Sequence, residues 1–175
     1  LLYLTGVRLA ESLALRFEDC DLENKQMRIV RTADREIKDL FDSPKTSGSV
    51  RTVAINDSLV ALIRKMKAET MRLAYISEGD IKINLIFADI DGSTIKQGTL
   101  RRYAKKIGKI INKDFGFHSL RTAHATELLT AGVAIKLVKE RLGHSTIQTT
   151  LNHYTSISKG MEEQCINALD GLYEY

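Results

Sequence analysis

Two polar segments in the C-terminal half, LGHSTIQTTLNHY at 142–154 and HSLR at 118–121, constrain this chain most strongly. Each segment lies at or near the end of a predicted helix, and Gly132 and Gly143 stand where left-handed C-caps would end two helices in succession. Together the segments supply His118, His144, Arg121 and the hydroxyl of Tyr154. A tyrosine with a proton acceptor can form a covalent intermediate, and an arginine can bind two phosphate oxygens. The pattern therefore indicates attack on a phosphodiester without a metal ion.

Hydrophobic periodicity predicts an α+β domain that is mostly helical, with a small antiparallel sheet of three strands. The last two strands are expected to form a hairpin, because Pro44 and Gly48 between them are turn residues. We expect either Asp57 or Ser58 to cap the long helix that follows. The predicted strands are 27–31, 37–41 and 50–55, and the predicted helices are 8–16, 57–76, 97–112, 119–131, 134–142, 145–154 and 159–172.

The length and composition are those of one ordinary globular domain. The chain has 175 residues, of which 43% are hydrophobic and 27% charged, and it contains no apolar run long enough to span a membrane. Cys20 and Cys165 are too few for a disulfide framework, so we expect free thiols in a reducing cytosol. The chain begins without Met and in the middle of a hydrophobic pattern, so we expect an N-terminal part to precede it.

The net charge of +4 is unevenly distributed, with a dense run of cations on the helix predicted over 97–112. Leu100, Tyr103 and Ile107 recur there at helical spacing and predict an apolar seam opposite the basic face. This basic face is either a solvated helix surface or a contact with the nucleic-acid backbone. The cations expected to touch DNA are Lys96, Arg101, Arg102, Lys105, Lys106 and Lys109, together with Arg51 on the predicted hairpin.

Each polar residue of interest also has a structural interpretation. Arg8 is three residues from Glu11 and can simply pair with it on a helix surface. Tyr154 shares a helical face with apolar residues, as a packed core tyrosine would. The histidine spacings do not fit a zinc site, so no metal is expected, and His124 is predicted to be structural. Arg51 is interpreted as a surface charge of the hairpin or as a DNA contact, not as a catalyst.

Four segments, taken in order, resemble the conserved boxes of one enzyme family. They are TGVRLAESLALRFED, PKTSGSVRTVAI, HSLRTAHATELL and LGHSTIQTTLNHYTS, and they extend over almost the whole chain. In their residues and in their spacing they resemble the catalytic domain of tyrosine recombinases of the phage and transposon integrase kind. Ser119, Thr122, Ala123, Ser156 and Ala54 depart from the commonest family pattern, but none of these removes a group that the chemistry needs.

The resemblance implies site-specific DNA recombination or integration through a 3′-phosphotyrosyl intermediate, with no cofactor. Glu11 would buttress the arginine geometry and His124 would support the fold. The implied catalytic residues are the nucleophile Tyr154, the phosphate-binding Arg8 and Arg121, the general acid Lys45, and the histidines His118 and His144. Two alternatives stay open: DNA relaxation of the type IB topoisomerase kind, and a catalytically silent DNA-binding module.

The resemblance also implies an assembly. Residues 1–175 would be the catalytic domain, and the arm-binding and core-binding domains would be absent from this chain. We expect a homotetramer on double-stranded DNA, a monomer for the isolated domain, and help from accessory directionality or DNA-bending proteins. The expected location is the bacterial cytoplasm, at the nucleoid. The amphipathic helix predicted over 159–172 would dock on a neighbouring protomer or fold back on its own domain.

Overall fold

A computed structural model describes residues 1–33, 40–41, 50–76, 84–89 and 92–144, and for residues 40–41 it describes the backbone alone. The helices are α1 (Leu2–Thr5), α2 (Leu9–Leu13), α3 (Asp57–Ile76), α4 (Gln97–Ile111), α5 (Phe117–Thr130) and α6 (Ile135–Leu142), with a 3₁₀ turn at Phe17–Asp19. The strands are β1 (Cys20–Asp21), β2 (Gln26–Ile29), β3 (Thr32–Ala33), β4 (Leu40–Phe41) and β5 (Arg51–Ala54). The predicted α+β class is confirmed. Across the described ranges, no helix combines the length and the apolar character that crossing a membrane requires.

The sheet is antiparallel and three-stranded, in the order β1-β2-β5. Met27 of β2 lies opposite Val53 of β5, and both side chains are buried, which fixes the register. The hairpin predicted between the strands at 37–41 and 50–55 is wrong, because these two strands do not pair with each other. β4 pairs with β3 in a separate two-stranded ladder, and β5 pairs with β2. The turn expected at 44–49 lies outside the described residues.

The N-cap of the long helix α3 lies one residue before the predicted cap positions. The Oδ1 atom of Asn56 accepts a hydrogen bond from the backbone N–H of Leu59 at 3.1 Å, so Asn56 is the N-cap and the expected caps Asp57 and Ser58 are not. Leu59 and Ile63 are buried in the main core against the sheet, as their spacing predicts. Leu73, near the other end of α3, is 48% exposed, because that end extends beyond the core.

Two helices near the C-terminal end of the described chain are closed by glycines. Gly143 follows α6 with φ 67°, and Gly132 follows α5 with φ 79°, both in the left-handed region that favours glycine. A second apolar cluster joins α5 to α6. α6 also contacts β5, and α1 contacts α5, so the start of the chain, the sheet and the end of α6 meet in one place.

Candidate active site

The turn between α1 and α2 sets the position of Arg8. Gly6 ends α1 with φ 68°, and Arg8 precedes α2 in an extended conformation. The backbone N–H of Arg8 donates to Oε2 of Glu11 at 2.8 Å, and its Nη1 donates to Oε1 at 2.7 Å. Its Nη2 donates to the carbonyl of Gly143 at 2.9 Å. Within the described residues, the side-chain bonds use two of the five guanidinium N–H groups and leave three for an anion.

Glu11 is a buried carboxylate held by two arginines. It is 4% exposed, and it accepts from Nη1 and Nη2 of Arg51 at 3.1 and 2.9 Å in addition to its bonds from Arg8. Burial acts to raise the pKa of Glu11. The hydrogen bonds and charge of Arg51, with the hydrogen bonds from Arg8, outweigh burial and hold that pKa below its usual value. Glu11 is therefore ionised at neutral pH.

The structure corrects the interpretation of Arg51. Its side chain is only 8% exposed, and its Nε donates to the carbonyl of Arg141 at 2.8 Å while both terminal nitrogens donate to Glu11. Arg51 is therefore not a surface charge of the hairpin, and its guanidinium is committed inside the protein instead of to DNA. The alternation along the chain is consistent with this position. Arg51, Val53 and Ile55 alternate with exposed residues along and just after β5, as residues on the inner face of a strand do.

Arg121 lies one turn into α5 and is buried, with 4% of its surface exposed. Its Nη1 donates to the carbonyl of Gly6 at 2.6 Å, and its Nη2 donates to the carbonyl of Leu142 at 2.7 Å. Burial, followed by the positive charge of Arg8, lowers the pKa of Arg121 to about 10. Arg121 is still protonated at neutral pH, so an enclosed positive charge stands beside Arg8.

Three arginines donate hydrogen bonds to consecutive backbone carbonyls at the C-terminus of α6. The carbonyls of residues 141–143 accept hydrogen bonds from Arg51, Arg121 and Arg8, in that order. A helix C-terminus leaves its last carbonyls without intrahelical partners and carries a partial negative charge, so it suits cationic donors. The two carbonyls before them, at residues 139 and 140, accept backbone N–H groups of the capping turn.

Both predicted catalytic histidines lie beside this cluster in sequence. His118 is exposed in the first turn of α5, one helical turn before Arg121. His144 directly follows the left-handed Gly143, and its backbone N–H donates to the carbonyl of Lys139 at 3.1 Å. The α6 turn that holds the arginines therefore also fixes the backbone of His144. Lys45 and Tyr154 lie outside the described residues.

Arg141 is a second arginine whose position the motifs did not predict. Its Nε donates to Nε2 of His124 at 3.0 Å, and its Nη1 and Nη2 donate to the carbonyls of Ala54 and Leu4 at 2.9 and 3.2 Å. These bonds tie α6 to α5, β5 and α1. Burial, then the charge of Arg141, lowers the pKa of His124, so its imidazole is neutral at neutral pH. Arg141 follows the buried Val138 by three positions, a spacing that places it on the inner face of α6.

The basic face of α4 is on the surface, and the predicted apolar seam is only partly buried. Ala104 is buried and Leu100 packs against a small core cluster, but Tyr103 is 55% and Ile110 82% exposed. Only a narrow face of α4 therefore packs against the rest of the protein. The cations predicted to contact DNA that are exposed here are Lys96, Arg101, Arg102, Lys105, Lys106 and Lys109.

Comparison with known proteins gives a consistent result. The model of the family described as "Phage integrase family" matches residues 1–161. The chain is 30% identical to a "Tyrosine recombinase XerC-like" protein of Caldanaerobacter subterraneus subsp. tengcongensis, covering 97% of this chain and 47% of that protein. It is 29% identical to the integrase of a Staphylococcus phage, covering 97% of this chain and 49% of that integrase. The chain thus spans about half the length of these relatives.

A solved structure has the same architecture. The integrase of transposon Tn1549, in complex with transposon right end DNA, superposes with a TM-score of 0.69 at 25% identity. The match covers 87% of this chain and 51% of that integrase.

Proposed function

This chain belongs to the phage integrase family, and we propose that it is the catalytic domain of a tyrosine recombinase that cuts and rejoins duplex DNA at specific sites. The observation that carries the proposal is the pairing of Arg8 and Arg121 on the adjacent carbonyls of Gly143 and Leu142. Two guanidinium groups held side by side match the two non-bridging oxygens of a phosphodiester.

The electrostatics of the cluster favour an anionic ligand. Arg8 and Arg51 share the single negative charge of Glu11, and Arg121 adds another positive charge that is bonded to carbonyls. The sum of these four ionised groups is +2. A positive charge that is already oriented before substrate binds stabilises developing negative charge with little reorganisation. The cluster would serve this purpose for the pentacovalent transition state of phosphoryl transfer.

In the proposed reaction, the hydroxyl of Tyr154 attacks the scissile phosphate and forms a 3′-phosphotyrosyl bond while the 5′-oxygen leaves. Lys45 protonates that oxygen, His118 assists proton transfer at Tyr154, and His144 donates a hydrogen bond to the phosphate. The 5′-hydroxyl of a partner strand then attacks the phosphotyrosyl bond and restores a phosphodiester. Because one phosphoester bond replaces another in each step, no nucleotide cofactor is required. The arginines supply the positive charge at the phosphate, so the proposed reaction uses no metal ion. The roles of Tyr154 and Lys45 rest on the family resemblance.

Double-stranded DNA is the proposed substrate and partner. The exposed cations of α4 supply a surface for sequence-independent phosphate contacts. The Tn1549 integrase, similar to this chain in fold, binds the DNA of its transposon end. We further propose that residues 1–175 act within a homotetramer on DNA in the bacterial cytoplasm, with directionality set by accessory proteins.

The test is a covalent adduct with DNA. The protein is incubated, with EDTA present, with a randomised duplex library nicked so that a cleaved strand cannot be rejoined. Adducts recovered under denaturing conditions are sequenced to identify the site. The variants are Tyr154→Phe and, as a matched control, Tyr75→Phe, which alters a tyrosine that is 87% exposed on α3.

An adduct lost only in Tyr154→Phe supports the proposal. Relaxation of supercoiled plasmid without strand exchange would instead indicate a topoisomerase. DNA binding with no adduct on any library member would indicate a silent binding module and overturn the proposed enzyme.

A further inference from the structure

We infer that Arg51 is a positioning residue of this active site, which acts on Arg8 through Glu11 and on the α6 turn through the carbonyl of Arg141. The inference rests on the proposed function and adds a residue that would not touch the DNA. Three features support it. β5 places the side chain of Arg51 inside the protein, Glu11 accepts hydrogen bonds from both Arg8 and Arg51, and the arginines bond to consecutive carbonyls of α6.

Strand geometry places Arg51 inside the protein. It lies opposite Ile29 in the ladder and two residues from Val53, both of which are buried, so its side chain leaves the sheet on the buried face. A buried guanidinium requires hydrogen-bond acceptors and a counter-charge. The carbonyl of Arg141 and both oxygens of Glu11 provide them, so Arg51 holds a single orientation.

The carboxylate of Glu11 is shared between two cations. Its Oε1 accepts from Nη1 of Arg8 at 2.7 Å and from Nη1 of Arg51 at 3.1 Å. Its Oε2 accepts from the backbone N–H of Arg8 at 2.8 Å and from Nη2 of Arg51 at 2.9 Å. The side chains of Arg8 and Glu11 alone would form a neutral pair. With Arg51 the three side chains carry +1, so the charge of Arg8 remains effective toward a phosphate.

Arg51 also stabilises the support on which Arg8 and Arg121 rest. Its Nε bond to the carbonyl of Arg141 fixes the residue directly before the two carbonyls that hold Arg121 and Arg8. Loss of Arg51 would therefore remove one support from each contact of Arg8, the Glu11 carboxylate on one side and the α6 turn on the other. Catalytic groups displaced by about 1 Å can lose on the order of 10²-fold in rate.

The test compares two substrates whose scissile linkages differ in charge. One is the ordinary phosphodiester at the site identified by adduct sequencing, and the other is a methylphosphonate, in which a methyl group replaces one charged oxygen. The methylphosphonate is neutral and has little need of a charged arginine. A variant that misplaces Arg8 should therefore lose rate mainly on the phosphodiester, whereas a folding defect lowers both rates equally.

The variants are Arg51→Gln, Arg51→Lys and the control Arg31→Gln. The control removes a comparable partly buried pair, in which Nη1 of Arg31 lies 2.8 Å from Oδ1 of Asp19 near the start of the sheet. We expect Arg51→Gln to cleave the phosphodiester about 10- to 100-fold more slowly, with at most a few-fold loss on the methylphosphonate. Arg51→Lys retains the positive charge but not the planar guanidinium that bonds both oxygens of Glu11. It should therefore recover part of the lost cleavage rate on the phosphodiester.

Three outcomes overturn the inference. A wild-type rate in Arg51→Gln, an equal loss on both substrates, or the same substrate dependence in Arg31→Gln would each show that Arg51 does not act through Arg8. Absence of an adduct from the wild-type protein on either substrate would be a separate result, because it would overturn the proposed function itself.

Discussion

Gly143 packs directly against the guanidinium of Arg51. A Cβ atom added to Gly143 would lie 2.9 Å from Nη1 and 3.1 Å from Cζ of Arg51. Residue 143 therefore has two reasons to be glycine. Its φ is 67°, and it lies against an arginine that is held by hydrogen bonds to the carbonyl of Arg141 and to both oxygens of Glu11.

Gly143→Ala is expected to be more harmful than Gly132→Ala. Both changes place a side chain in the left-handed region, at about 1 kcal/mol, but a Cβ on Gly132 meets nothing within 4 Å. In Gly143→Ala the guanidinium of Arg51 must also shift, which we expect to add about 1 kcal/mol or more. Urea denaturation measures the difference, and the cleavage assay should show a rate loss for Gly143→Ala alone. Equal destabilisation of the two variants would argue against the packing described here.

Glu11→Gln should strongly destabilise the domain. The amide keeps the shape of the side chain but removes the negative charge between Arg8 and Arg51, and leaving a buried cation uncompensated costs about 3 kcal/mol. The free energy of unfolding, obtained from urea titration, gives the value. Glu69→Gln is the control, because Glu69 pairs with Arg72 on the exposed surface of α3 and should change stability very little. A result for Glu11→Gln as small as that for Glu69→Gln would contradict the buried network.

Acidification should weaken the fold through His124. Burial and the charge of Arg141 lower the pKa of His124 below 6.5, the ordinary value for histidine, so the folded state resists protonation. Between that lowered pKa and 6.5 the unfolded chain binds more protons, and stability therefore falls as the pH falls through this window. Denaturation at pH 7.5 and 5.5 measures the slope, which should become smaller in His124→Gln. An unchanged slope would exclude His124 as its source.

DNA binding should depend on salt through the exposed face of α4. Replacing Lys105 and Lys109 with Gln is expected to reduce the slope of log Kobs against log salt by about two, since each phosphate contact contributes about one. The control pair is Lys65→Gln with Lys67→Gln, which removes the same charge from the surface of α3. Titration of random-sequence duplex at several salt concentrations measures both slopes. The prediction fails if the two pairs of substitutions have the same effect.

The helices were largely predictable from the sequence, whereas the strand pairing was not. The glycines after α5 and α6 and the apolar spacing of α3 are local signals, and the structure has those elements near their predicted bounds. Strand partners depend on contacts that local sequence does not encode. Turn residues between 41 and 50 suggested a hairpin, but β5 reaches back to β2 because Val53 and Met27 bury the same face.

The site was predictable only as far as the motifs reach. The family boxes identified Arg8, Glu11 and Arg121, which the structure brings together, but they carried no information about which arginines are enclosed. The enclosed positions of Arg51 and Arg141 came from the structure. The periodicity of the strand and helix that carry them is consistent with those positions, but it is a pattern normally used only to place hydrophobic residues. The expected roles of Lys45 and Tyr154 stay predictions.

The three arginines on the α6 turn also determine when the site can come into existence during folding. Arg121 and Gly6 are 115 positions apart in the chain, and Arg8 and Gly143 are 135 positions apart. Contacts of such long sequence separation form late, after the loops between them have closed. A growing chain that has not yet reached α6 has its first arginines without the carbonyls that orient them. Under the proposed function, a chain that ends before α6 would lack the oriented arginines and could not cut DNA.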